Sequence, residues 1–175
     1  MDCRRIAVIS ILASLCVGIQ LTPRPPNVEF TSLICFLTGF VFGVFSGALV
    51  GALTMFINGF LSPYGFAGTV IMLFQVVGMA LIGLAGGVYR KLLGGNFNPG
   101  RQLKFEVCFL ASFLTLVYDV ITNVGFAIQF NINIIGALFA GAWLAVIHNI
   151  SNVILFSAAF FYLTKIIGKL VNEKI

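Results

Sequence analysis

Two pairs of polar residues in an otherwise apolar chain carry most of the chemistry this sequence offers. Asp119 and Asn123 stand four residues apart, and so do His148 and Asn152, so each pair shares one face if the backbone is helical. Both pairs lie in apolar surroundings, where an ionisable side chain is costly and faces either a partner or a wet cavity. Asp119 falls about 22 Å along a helix from Lys104, well inside a bilayer if Lys104 marks its surface. Two readings follow for Asp119 and His148. They form a buried pair that ties two helices together, or they are the polar heads of a binding cavity.

Asn27, Glu29, Tyr64, Tyr118 and Trp143 complete the candidate binding set, together with Asp119, Asn123, His148 and Asn152. Each has a plainer alternative. Glu29 suits the N-terminus of a helix as a solvated charge. Tyr64 and Trp143 suit an interfacial aromatic belt. Asparagines also bond helices to each other in lipid. What favours a site is convergence: a concave pocket with aromatic walls and a few placed polar groups is what a small molecule needs.

Catalysis is poorly supported. The chain has no GxSxG, no HExxH, no Walker loop and no neighbouring acidic pair for two metals. The four cysteines, Cys3, Cys16, Cys35 and Cys108, are scattered, with no CxxC and no histidine at ligand spacing. They read as small buried apolar residues, and neither a metal nor a cofactor is expected. One acid–base pair, His148 with Asp119, leaves room for a small membrane enzyme acting on a lipid or isoprenoid.

The elements that must position these residues are membrane helices. Of 175 residues 60% are hydrophobic and only 9% charged, the composition of an integral membrane protein. The net charge of +5 does not point to nucleic acid, because the basic residues cluster at helix ends. The stretch from Thr31 to Phe60 would be about 45 Å long as one helix, against a hydrocarbon core of about 30 Å. Gly39, Gly43, Gly47 and Gly51 recur through it every fourth residue, the spacing that lets helix backbones approach closely. A hairpin of two short helices turning near Gly43 resolves the length. It also places Arg4, Arg5, the 90–104 cluster and the C-terminal lysines on one side, leaving only Arg24 opposite. The reading is therefore an all-α integral membrane domain spanning residues 1–175, with six transmembrane helices, both termini cytoplasmic and an outward-facing pocket.

Helix 1 is expected from about Arg4 to Leu21 and retained rather than cleaved as a signal. Ser10, Ser14 and Gly18 form a small-residue stripe along it, either packed inside the chain or serving as a docking face for a partner. Pro23, Pro25 and Pro26 end it. An outer loop covers 58–65, and helix 4 runs from Thr69 to Val88, with Gln75 as its one strongly polar interior residue. Helix 5 runs from Gln102 to Ala127. Helix 6 is expected from Trp143 to Lys169, after a loop at 129–133 and a Gly/Ala-rich approach from Gly136 to Ala142.

This plan resembles the substrate-binding S components of energy-coupling factor transporters. The resemblance rests on the size, the short helix 2–3 hairpin, Asn-Val-Glu-Phe-Thr (27–31), Phe-Ile-Asn-Gly with Ser-Pro-Tyr-Gly (56–65), Tyr-Asp-Val-Ile-Thr-Asn (118–123) and His-Asn-Ile-Ser-Asn (148–152). It implies a prokaryotic cell-membrane protein that captures a vitamin from outside. It also implies docking on a transmembrane coupling subunit bound to two cytoplasmic ATPases. In that family helix 1 carries an Ala-x-x-x-Ala-like docking motif; here Ser10, Ser14 and Gly18 keep the small-residue logic and depart in letter. A third, plainer reading is an assembly subunit that binds no ligand.

Overall fold

The computed structural model describes residues 3–23, 25, 27–63, 65–94 and 101–171, the side chain of Arg101 excepted. Tyr64 and Arg24, both singled out in the sequence, lie outside the described residues, as do residues 95–100 and Lys174. Six helices follow in order: α1 (Cys3–Leu21), α2 (Thr31–Phe42), α3 (Val44–Leu61), α4 (Thr69–Leu92), α5 (Arg101–Phe130) and α6 (Ile134–Leu170). Five are long and apolar enough to cross a membrane. The exception is α2, whose 12 residues reach only about 18 Å. It is an inset helix, and all of its residues are buried.

The expected hairpin is present, and its turn is a single residue. Gly43 takes φ 99°, a left-handed backbone that glycine tolerates without strain. The chain folds back so tightly that a Cβ on Gly47 would lie 2.5 Å from the Gly39 Cα. Helix α4 then closes on the hairpin by the same device. A Cβ on Gly83 would meet the Gly47 carbonyl oxygen at 2.1 Å, one on Gly86 the Phe36 oxygen at 2.0 Å, and one on Gly51 the Met79 oxygen at 2.4 Å. Lipid offers no hydrophobic drive to bring helices together, so contact area between backbones supplies the attraction.

Helix α2 lies at the centre, touching α1, α3, α4 and α6, while α4 bridges α3 and α5. Below the first turns of α2 the interior is aromatic. Phe36 packs edge-on against Phe156 and Phe160, at centroid distances of 5.4 and 5.7 Å, and Phe40 against Phe160 at 5.2 Å. At the same end Arg90 lies over the Phe40 ring and Tyr89 Oη donates to Glu106 at 2.9 Å. The half of the bundle that bears the basic residues is thereby filled.

Four helix limits differ from the sequence reading, one of them the end of α4, which runs four residues past Val88 to Leu92. Helix α6 starts at Ile134, so the Gly136–Ala142 stretch is its first turns and not an approach to it. Asn133 caps it, its side chain accepting from the Gly136 amide at 3.1 Å. Small residues that weaken a helix in water are well tolerated in a membrane helix. Helix α3 runs to Leu61, which makes Asn58 a helical residue facing inward and not part of a loop. Helix α5 continues three residues beyond Ala127, to Phe130.

Candidate functional site

At the end of the bundle opposite the described arginines and lysines, the helices part around a cavity of about 490 Å³. It is lined by the last turn of α1, the segment between α1 and α2, the end of α3, the α3–α4 loop, the first turns of α4, and the facing stretches of α5 and α6. Its polar backbone is a row of three ionisable groups. His148 Nδ1 lies 2.7 Å from Asp119 Oδ1, and His148 Nε2 lies 3.5 Å from Glu29 Oε1. All three are buried, His148 at 3%, Glu29 at 6% and Asp119 at 7% exposure.

The row is held from both sides. Gln20, on α1, donates from Nε2 to Glu29 Oε2 and to Thr31 Oγ1, the latter at 2.8 Å, and Ser32 Oγ donates to Glu29 Oε1 at 3.2 Å. Glu29 is thus no solvated helix-end charge, because neighbouring side chains replace its water. On the other side α5 and α6 are bonded in register. Asn152 Nδ2 donates to Thr115 Oγ1 at 2.9 Å, and Asn149 and Ser112 exchange two further bonds across the same seam. The two readings of Asp119 and His148 coincide: the pair ties the helices together and also lines the cavity.

Of the other expected residues, Asn27 lines the cavity with a left-handed backbone, φ 59°, and donates to the Leu144 carbonyl at 3.0 Å. Tyr118 lines it too, its ring edge-on to His148 at 5.8 Å. Asn123 lines it and donates to the Asp119 carbonyl at 2.7 Å. Gly141 opposite leaves the room Asn123 needs, since a Cβ there would sit 2.3 Å from Asn123 Oδ1. Asn152 does not reach the cavity; it is wholly buried beneath His148 in the α5–α6 seam. Trp143 is 71% exposed on the outer face of α6 and is not brought to the others.

The sequence reading left out Gln20, Asn58 and Thr122, and it noted Gln75 without placing it at the site; all four line the cavity. Gln20 and Gln75 each interrupt an apolar helix with an uncharged polar group, the one signal that pointed to them. The apolar wall is Met55, Phe66, Ile71, Phe126 and Leu144. Gln129 clamps the loop that carries Phe66, donating to the Ala67 carbonyl at 3.1 Å and accepting from the Ile71 amide at 3.1 Å.

The lining combines an aromatic wall with acceptor-rich polar groups, which suits a planar ring bearing N–H or O–H donors. Among the described residues no group of three or more His, Cys, Asp or Glu is arranged to hold a metal ion. The helix α1 stripe is placed away from all of this. Ser10, Ser14 and Gly18 are exposed, and a Cβ added to Gly18 would meet nothing within 4 Å.

A family model described as ECF-type riboflavin transporter, S component, matches residues 1–171. No curated protein and no solved structure matched. The chain belongs to that family: it is a membrane-embedded substrate-binding subunit of a transporter and not an enzyme, which retires the lipid-modifying alternative for His148 and Asp119.

Proposed function

We propose that this S component captures riboflavin, or a molecule with the same ring and polyol, in the cavity between α1, α3, α4, α5 and α6. The observation that carries the proposal is the composition of one cavity. About 490 Å³ of space places Phe66, Phe126 and Tyr118 beside Asn58, Gln75, Asp119 and Asn123. A flavin has a flat aromatic face for the first group and hydroxyl and N–H donors for the second. The substrate-binding residues are accordingly Asn27, Glu29, Tyr118, Asp119, Asn123 and His148, joined by Gln20, Asn58 and Gln75, with Tyr64 from the adjoining loop.

The cavity opens outward in this proposal. Arg4, Arg5, Arg90, Lys91, Lys104, Lys165 and Lys169 stand at the other end of the bundle, the side that basic residues favour as cytoplasmic. Capture would then be from outside, in the cell membrane of a prokaryote. Delivery would run through a transmembrane coupling subunit powered by two ATPases, docked on the exposed Ser10–Ser14–Gly18 face.

The test is a titration of riboflavin into the purified, detergent-solubilised chain, read by quenching of flavin fluorescence, alongside native mass spectrometry. Saturable one-to-one binding at submicromolar concentration is the expected result. Absence of quenching, with no vitamin-sized mass carried through purification, would overturn the proposal and leave the cavity to a solute other than a flavin.

A further inference from the structure

A second cavity of about 480 Å³ lies back to back with the first, cut into the outer side of the α5–α6 seam. Its walls are Leu116 and Val120 on α5 and Val146 and Ile150 on α6, all four exposed where the bundle meets lipid. The small side chains of Ala142 and Ala145 give the groove its depth. Its floor is polar, formed by Asp119, Asn123 and Asn149. Asn149 is bonded to Ser112, and Asn123 donates to the Asp119 carbonyl. Asp119 is different: it is 7% exposed, and its Oδ2 is a buried acceptor with no hydrogen-bond partner in the protein. Among the described residues no lysine or arginine lines this space.

The position in the bilayer follows from the basic residues. Counted at helical rise from Lys104 and Lys165, a hydrocarbon core of about 30 Å ends near Val124 on α5 and near Ala145 on α6. The groove runs from Leu138 to Ile150 along α6, so it straddles that edge, with Asp119 about 8 Å inside it. Lipid chains and headgroups both reach such a groove.

We infer that this groove is a binding site for an uncharged membrane lipid with a hydroxyl headgroup, its chains along the apolar walls and its hydroxyl donating to Asp119. An anionic headgroup would meet a carboxylate with no cation beside it. A cationic one would shed its water against apolar walls, which is costly for a full charge. A hydroxyl supplies the donor that Oδ2 lacks at a far smaller desolvation cost. The inference does not depend on which solute fills the first cavity.

Trp143, the single tryptophan of the chain, reports on the groove. It is 71% exposed on α6 and lies three and seven residues from Val146 and Ile150, on the same face. The full chain in phosphatidylcholine nanodiscs is given brominated diacylglycerol or brominated phosphatidylcholine at equal mole fraction, and quenching of Trp143 is followed. Diacylglycerol is expected to show an apparent affinity about fivefold higher, roughly the worth of one hydrogen bond. Val120→Phe and Ala142→Leu fill the groove from the lipid side, at positions that do not line the first cavity, and each should abolish the preference. Quenching by phosphatidylcholine should persist in both, because Trp143 still faces lipid. On the unaltered protein, a brominated diacylglycerol whose hydroxyl is capped as a methyl ether should lose the preference as well. Equal quenching by the two lipids in wild type would overturn the site. A preference that survives both groove substitutions would overturn its location, and one that survives the methyl cap would overturn the role of the hydroxyl.

Discussion

The two halves of this bundle hold together by opposite means. On one side α2, α3 and α4 meet through glycine, with backbone against backbone and no polar side chain between Gly47 and Gly83 or between Gly86 and Phe36. On the other, α5 and α6 meet through side chains: Ser112 with Asn149, Thr115 with Asn152, and Asp119 with His148. Backbone contact fixes distance and leaves no space. Side-chain bonding across a seam tolerates a gap, and the gap widens into the cavity where the ladder reaches Asp119. A rigid half and an open half are joined by α4, which packs on α5, by α2, which touches α6, and by Glu29 beside His148.

Breaking the glycine half should have the largest effect. In Gly83→Ala the new Cβ would fall on the Gly47 carbonyl oxygen, a backbone atom with no rotamer to move away. The expected cost reaches about 3 kcal/mol, the upper part of the range for overpacking, with loss of the monodisperse peak on size exclusion. A Gly83→Ala protein that purifies and melts like wild type would show that the α3–α4 contact is looser than drawn. Breaking the polar half should leave a folded protein with a damaged site. Asp119→Ala strands His148 beside Glu29 alone, and flavin affinity is expected to fall about 100-fold, in line with removing one partner of a buried charged pair. If the melting temperature collapses as far as in Gly83→Ala, the two halves do not differ in the way proposed. The smallest effect on the isolated protein belongs to Ser14→Trp. Because that side chain is exposed, folding and flavin binding should stay within about twofold of wild type. Copurification with the coupling subunit should be lost; retained copurification would remove α1 from the docking face.

The glycine half was partly readable in the sequence. Gly39, Gly43, Gly47 and Gly51 declare themselves by spacing, and the hairpin turns at Gly43 as the length argument requires. Their partners on α4 stood out less, because Gly83 and Gly87 are a single pair four apart, Gly86 falls off that spacing, and the three match the hairpin only once the helices cross. In the polar half, Asp119 and His148 stood out because charge in lipid demands a partner, and antiparallel helices with a short connection set them at one depth. Gln20 and Asn58 did not stand out. One sits at the last turn of a helix and the other near a loop, where a polar group ordinarily faces water. The return of the chain through Glu29 gives Gln20 an inward partner, and the extension of α3 to Leu61 sets Asn58 on the cavity. The Gly/Ala run at 136–142 was misjudged because its helicity depends on surroundings that sequence periodicity does not record.

The shortness of α2 bears on how the chain is made. A segment of 12 residues covers about 18 Å and falls well short of a hydrocarbon core of about 30 Å, so it has little reason to enter the bilayer alone during synthesis. Its natural companion is α3, which emerges one residue later and meets it glycine to glycine. Insertion as a preformed hairpin would leave the carboxylate of Glu29 at the rim while the first polypeptide segment waits beside it. The buried row at the site would then be assembled last, when α5 and α6 arrive from the C-terminal end of the chain with Asp119 and His148. The binding cavity would be the final part of the molecule to exist, and a truncated chain would own a scaffold without a site.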